Sequence, residues 1–547
     1  MTDDEITFAA PGPGQWELDA THRGRRPISP FLRERFLRDG SAGFTALAEG
    51  YGLPLAEIRA ELVHGCLYFR PIGIGEGDTP KPPPPAWIMK LLVRVHPELR
   101  RRNKAAARAW SERRWRHEVD HWFDRERATV VERNLEHQRV EVGALDDRAL
   151  VDHVGVLLDH FGTQARRNME THGGDLIPAG DFLAHCRRWG IADAEATALL
   201  RGSSPASVET ASLLAPVAKA VADAGSAPDS IDAVRALGDD ARAAVDAWVE
   251  RHAWRLVTTD DIDKPTLAER PNLQLAALLA AVDAPGDPTP PDAEPTRAKV
   301  PVTERATFDA LLAEARYGMR QRDDSVGVRW NWSGGLLRRA LLEAGRRLVA
   351  RGALERAEHV VELAADELGP LLLDGTGPDA AAVAARAAWR DRVEAARAPD
   401  TLGDPEQPPP LDVFPAPLAR ATAALLAVLE AEGLSATPSG DGISGTGIGT
   451  TTYRGVARVA TSADDALDRL EPGDVLVAPF TGPAYNSILP MLGALVVDAG
   501  GTMCHAAIVA REFALPAVVG ATGATTHIPD GALVEVDPVA GRVAVVG

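Results

Sequence analysis

Cysteine is scarce in this chain. Its 547 residues hold three, Cys66, Cys186 and Cys504, too far apart to form a metal-ligand pair or a disulfide framework. That pattern predicts a reducing, cytoplasmic setting. Apolar runs are short. None reaches the ~20 residues needed to cross a membrane, and the acidic start MTDDEITF has no apolar signal-peptide core. Basic charge is outnumbered, 59 Lys and Arg against 78 Asp and Glu. The net charge of −19 argues against nucleic acid or an anionic membrane as the main partner. The remainder is ordinary for a globular protein, 45% hydrophobic and 25% charged, with length for about three or four domains.

The most informative stretch is 500–520, GGTMCHAAIVAREFALPAVVG. Two glycines lead into Thr502-Met503-Cys504-His505. A short helical run follows to Phe513, then a buried-strand run. His505 is thereby set at the mouth of a helix, where unpaired N–H groups and the helix dipole favour an anion. The small residues Ala506 and Ala507 leave its approach open. A neutral imidazole there is a competent nucleophile for a phosphoryl group.

Residues 500–512 fit G-G-x-x-[STC]-H-[AG]-[AS]-[IV]-[VI]-[AS]-R-E without a gap. The stretch resembles the phosphohistidine (swivelling) domain of the PEP-utilising enzymes, closest to rifampin-phosphotransferase-like members. The resemblance implies that His505 is phosphorylated, with Gly501, Thr502, Cys504, Arg511 and Glu512 completing the motif. PGDVLV at 472–477 and DAGG at 498–501 extend it over the whole C-terminal domain, and it covers 11–397 more loosely. The implied fold is multidomain. A mostly α-helical N-terminal and middle region precedes a C-terminal α/β swivelling domain of the β/β/α kind. Residues 1–284 would form the helical acceptor-binding region, 300–398 its second part, 399–449 a linker and hinge, and 450–547 the phosphohistidine domain. Strands are expected near 455–460, 474–479, 494–498, 517–519, 533–536 and 542–546. The glycine- and serine-rich 435–449 is expected to flex, and 400–417 reads as a proline-rich linker.

Candidates for the acceptor side lie upstream. In 11–30, Asp19 and His22 match a family pattern, whereas Trp16 is read as packing. In 254–271, Arg255, Asp261, Asp263 and Glu269 resemble a family segment near the acceptor site. Carboxylates there could orient a hydroxyl or take its proton, and the arginine could clamp phosphate. Arg320 fits the arginine of a family arginine–glutamate pair, but Gln321 stands where the acid is expected. Residues 31 to about 280 otherwise read as mostly helical.

The chain is expected to lack the family's glycine-rich ATP-binding region before residue 11 and its PEP-binding barrel after the histidine domain. The resemblance therefore implies an ATP-grasp partner on a separate chain, carrying ATP and Mg, with no cofactor or metal on this chain and a small-molecule hydroxyl as acceptor. Competing readings are a non-catalytic partner that kept the fold, a ligase-type condensation that uses the phosphoryl group for activation, and a zinc hydrolase at HEVDH, His117 to His121. The charged flanks of HEVDH weigh against the last.

Overall fold

Helices dominate the chain up to Glu432, and strands dominate from Ile443 onward. The computed structural model describes residues 6–19, 25–77, 85–203, 205–225, 228–257, 261–283, 291–406, 409–433, 443–460, 465–466, 469–481, 485 and 488–546. The chain divides into two units. The first comprises Met1–Gly174, Thr259–Lys264 and Ser325–Ala423. The second comprises Asp175–Thr258, Pro265–Asp324 and Ala424–Gly547.

In the first unit, the helix Arg33–Tyr51 ends at Gly52, whose φ of 70° only glycine adopts cheaply. It packs along the helix Asp147–Thr171. A four-stranded sheet departs from the mostly helical expectation. It contains β1 (Trp16–Leu18), β2 (Leu55–Val63), β3 (Cys66–Gly73) and β4 (Thr401–Leu402), in the order β2-β3-β1-β4. The hairpin β2–β3 turns through His64 and Gly65, both at positive φ. Its aromatic and branched residues favour a strand where helical periodicity is weak. Strand β4 lies in the proline-rich stretch expected to be a linker and pairs with β1. Trp16 is buried against Tyr68 and Val393, as its reading as packing implied.

The second unit holds an eight-stranded sheet. Its strands are β5 (Ile443–Ser444), β6 (Thr446–Ile448), β7 (Tyr453–Val459), β8 (Val475–Ala478), β9 (Ala494–Val497), β10 (Ala517–Val519), β11 (Leu533–Asp537) and β12 (Arg542–Val545). The order is β5-β12-β11-β7-β8-β9-β10-β6. The centre, β7 to β10, is parallel, and β8, β9 and β10 are buried at every residue. Continuous apolar runs suit strands covered on both faces. Alternate residues serve the two faces. Leu476, Leu495, Val497 and Val519 meet Ala507 and Ala510 of the helix that begins at His505. Val475, Val496 and Val518 meet Ala524, Ile528 and Val536.

The six strands expected here are present with small boundary shifts, but the glycine-rich segment differs. Residues 443–444 and 446–448 are strands rather than flexible chain. β5 pairs with β12 and β6 with β10. A Cβ on Gly447 would lie 1.7 Å from the Pro538 carbonyl, so glycine there permits close backbone approach. The first half of that segment, 435–442, lies outside the described residues. Among the described residues, no helix is long and apolar enough to cross a membrane.

Candidate active site

His505 is the first residue of the helix His505–Glu512, which connects β9 to its parallel neighbour β10. The chain leaves the carboxyl end of β9, where open parallel sheets commonly place ligands. Backbone pairing holds this exit to the end of β8. The Asp498 N–H donates to the Ala478 carbonyl and the Ala499 N–H to that of Pro479, each at 3.0 Å. The Asp498 carboxylate accepts from the Thr525 N–H at 2.8 Å.

The loop before His505 is held against helices of the same unit. At Gly501, a Cβ would lie 2.4 Å from the Ala431 carbonyl oxygen and 2.8 Å from the Gly433 nitrogen, so only glycine fits without a backbone shift. The Met503 N–H donates to the Ala431 carbonyl at 2.8 Å. The Met503 side chain is buried in a helical core with Phe182, Leu199, Phe308 and Val428. Arg322 donates to Glu432 at 2.6 Å and to the Met503 carbonyl at 3.4 Å. Arg511 reaches back along its own helix to donate to the Thr502 carbonyl at 2.5 Å. Gly501, Thr502, Cys504, His505 and Arg511 thus gather around one turn, and Glu512 ends the helix.

His505 is half-buried, and its Nδ1 lies 3.0 Å from Thr481 Oγ1. Thr481 is buried just beyond the carboxyl end of β8. Burial pushes the His505 imidazole down to about 4, so the ring is neutral near pH 7. Burial also pushes the neighbouring Cys504 thiol up, which keeps it a thiol beside the imidazole. It pushes Arg511 down to about 10, still cationic at neutral pH. The turn therefore presents one neutral nucleophile. Sequence reasoning missed Thr481; its signal was a hydroxyl closing the apolar strand run VLVAPFT, one strand away from the histidine.

The upstream candidates fall into separate clusters. In the first unit, Asp261 accepts from the Ser29 N–H and hydroxyl, each at 2.6 Å. Asp263 accepts from Arg26 at 2.6 Å and Arg390 at 2.9 Å. Arg390 also donates to Glu362 at 2.5 Å and to the Pro27 carbonyl. Burial opposes the Asp263 charge, but Lys264, Arg390 and Arg26 outweigh it and hold the carboxylate below its usual range. Asp19 donates its N–H to the Leu67 carbonyl at the end of β1. His22 lies outside the described residues.

In the second unit, Arg255 donates to the Arg251 carbonyl at 2.9 Å. Glu269 closes a capping box with Thr266, and Arg320 stacks 5.1 Å from the Tyr317 ring centre. Gln321, in the expected acid's place, is buried, and Arg322 makes the ion pair next to it. In HEVDH, Glu118 accepts from the Tyr51 hydroxyl at 2.6 Å and from Arg114 at 2.8 Å. Among the described residues, no group of three or more His, Cys, Asp or Glu could hold a metal ion.

Residues 470–541, which contain the whole His505 loop and helix, match the family model described as PEP-utilising enzyme, mobile domain. The carboxyl-terminal domain is a PEP-utilising enzyme mobile domain. Similarity to curated proteins reaches further than this mobile domain. An uncharacterized protein of Mycobacterium tuberculosis is 36% identical over 293 residues, 53% of this chain and 29% of that protein. The rifampicin phosphotransferase of Streptomyces sviceus is 27% identical over 337 residues, 55% of this chain and 34% of that enzyme. A phosphoenolpyruvate synthase of Aeropyrum pernix is 47% identical over 83 residues, 15% of this chain and 10% of that enzyme. The chain thus spans about a third or less of the length of these relatives.

Proposed function

We propose that this chain is a phosphotransferase in which His505 carries the phosphoryl group. The phosphoryl comes from ATP, with Mg, on a separate ATP-grasp domain, and passes to the hydroxyl of a small molecule held by the helical region. The observation that carries this reading is His505 itself: a neutral, half-buried imidazole at the head of a helix, on a glycine turn at the carboxyl edge of a parallel sheet. Its neutrality supplies the lone pair for attack, and the helix terminus suits the negative charge it then bears. Similarity to a rifampicin phosphotransferase supports transfer to a small-molecule acceptor. Docking of the loop on helices of the same unit, through Met503 and Arg322, supports delivery to helical partners. Arg255, Asp261, Asp263, Glu269, Arg320, Asp19 and His22 remain the acceptor-side candidates for mutation.

The test mixes this chain with an ATP-grasp protein, Mg and ATP labelled in both terminal phosphates. Acid-labile label is expected on the wild-type chain and none on His505→Ala. Label persisting on the variant overturns the assignment. The mass of the product made from added hydroxyl compounds then separates phosphorylation from condensation.

A further inference from the structure

We propose that the exposed face of the helix Ala86–Val95, in the first unit, docks the protein that charges this chain, and that this protein meets it with an apolar groove rimmed by carboxylates. The inference rests on the phosphohistidine reading, which makes the partner an ATP-grasp domain. Val93 marks the inner side of this helix, where it packs with Leu99 and Leu418. Trp87, Leu91 and Val95 recur at i, i+4 and i+8, so they form one stripe. They are 70%, 55% and 58% exposed, and Leu92 beside them is 46% exposed. Other exposed large apolar side chains of the described residues stand singly in sequence, as at Val156, Val302 and Val539. Single exposed side chains are ordinary, whereas a contiguous stripe anchored by a tryptophan marks an interaction face. Covering a leucine-sized side chain fully is worth about 1.5–3 kcal/mol, so a partner seated here gains from each one.

Charge beside the stripe selects the occupant. Arg94 flanks it on the same helix, and the helix Pro97–Ser111 follows at once with Arg100 and Lys104 exposed one turn apart. Glu98, the acid between them, is taken by Arg101 and Arg102, each within 2.8 Å. Arg94, Arg100 and Lys104 therefore leave a positive rim on a chain whose net charge is −19. A second copy in a two-fold contact would set this rim against its own image, like charge against like. The stripe is also small for a dimer: functional patches of this kind offer roughly 300–600 Å², against about 800 Å² per partner in a stable interface. An anionic lipid surface would suit the rim but repel the acidic remainder of the chain. A protein groove with carboxylates at its edge satisfies both the stripe and the rim. The small area then suits a contact that forms and breaks with each charging cycle.

The experiment uses the full chain with an ATP-grasp protein, Mg and labelled ATP, and reads the ATP-grasp concentration that gives half-maximal labelling of the chain. Leu91→Asp is expected to raise it about tenfold or more, with the maximal rate within about twofold of wild type. Arg94→Glu is expected to raise it about threefold at low salt and far less at about 0.5 M salt, because it acts through charge. Phosphoramidate, a small donor that needs no docking, is expected to label wild type and both variants alike. Coincident unfolding midpoints then separate lost docking from lost folding. An unchanged half-maximal concentration in Leu91→Asp would overturn the proposal. So would self-association of the wild type, or its binding to phosphatidylserine vesicles, that Leu91→Asp abolishes while labelling by ATP-grasp is unaffected; the occupant is then a second copy or a lipid surface. If calorimetry finds the ATP-grasp protein bound by wild type and not by Leu91→Asp, yet neither chain is labelled, the docking face stands and the carrier reading fails. No binding by wild type, with His505 still labelled by phosphoramidate, overturns the docking face alone.

Discussion

Two buried sites, one in each unit, treat polar groups in opposite ways. In the first, Asp261, Asp263 and Glu362 are sunk in the interior, and Arg26, Arg390 and Ser29 meet them with short hydrogen bonds. In the second, His505 is partly buried with one hydroxyl beside it and is kept neutral by its surroundings. A buried charge persists only when partners compensate its desolvation, which fixes it in place. A buried neutral imidazole keeps an uncommitted lone pair and can react. The compensated charges of that cluster tie together chain segments far apart in sequence, and the imidazole reads as a working group.

That contrast can be broken from either side. The largest effect is expected from His505→Ala, which should abolish acid-labile phosphorylation while leaving the unfolding midpoint almost unchanged. Arg390→Met comes next. It strips one guanidinium from two buried carboxylates and should cost about 3–5 kcal/mol, read as a lower denaturant midpoint at constant slope. The third test is pH. Because the folded imidazole titrates near 4, its reactivity should stay level from pH 7 to 5 and fall only as pH drops through about 4. An ordinary histidine, titrating near 6.5, would lose roughly 30-fold by pH 5. The same sign makes the folded state lose stability as pH falls from about 6.5 toward 4, since the unfolded chain binds the proton first. Gly501→Ala should cost about 1–2 kcal/mol as its methyl pushes against the Ala431 carbonyl, and hydrogen exchange should report lost protection at the Met503 amide. The smallest change is Glu269→Ala, which opens the capping box and should lower stability by about 0.5–1 kcal/mol in thermal unfolding.

The carboxyl-terminal domain was legible because its signals are local. Apolar runs bounded by glycine and proline turns marked β7 to β12, and the GG-x-x-C-H turn marked the head of the helix. The first unit was less legible because its logic is long-range. The pairing of β1 with β4 joins residues almost four hundred positions apart, and no local pattern in a proline-rich stretch announces it. Of the cations that hold the charge of Asp263, Lys264 is its sequence neighbour, but Arg390 and Arg26 lie outside any window around residue 263. Thr481 stayed hidden for the same reason. It meets His505 only because β8 and β9 are neighbours in the sheet. Glycine misled in one place. Gly445 and Gly447 suggested flexible chain, whereas their missing side chains admit the backbone of β10 and of Pro538.

The most direct test of the central claim is to map the phosphate. The chain is phosphorylated by ATP and an ATP-grasp protein, digested at alkaline pH, and its peptides fragmented to locate the modified residue among Thr502, Cys504 and His505. The account predicts one phosphoryl group, on His505, labile in acid and stable in base. Phosphate on Thr502 or Cys504, or an acid-stable phosphate anywhere in the stretch, would contradict it.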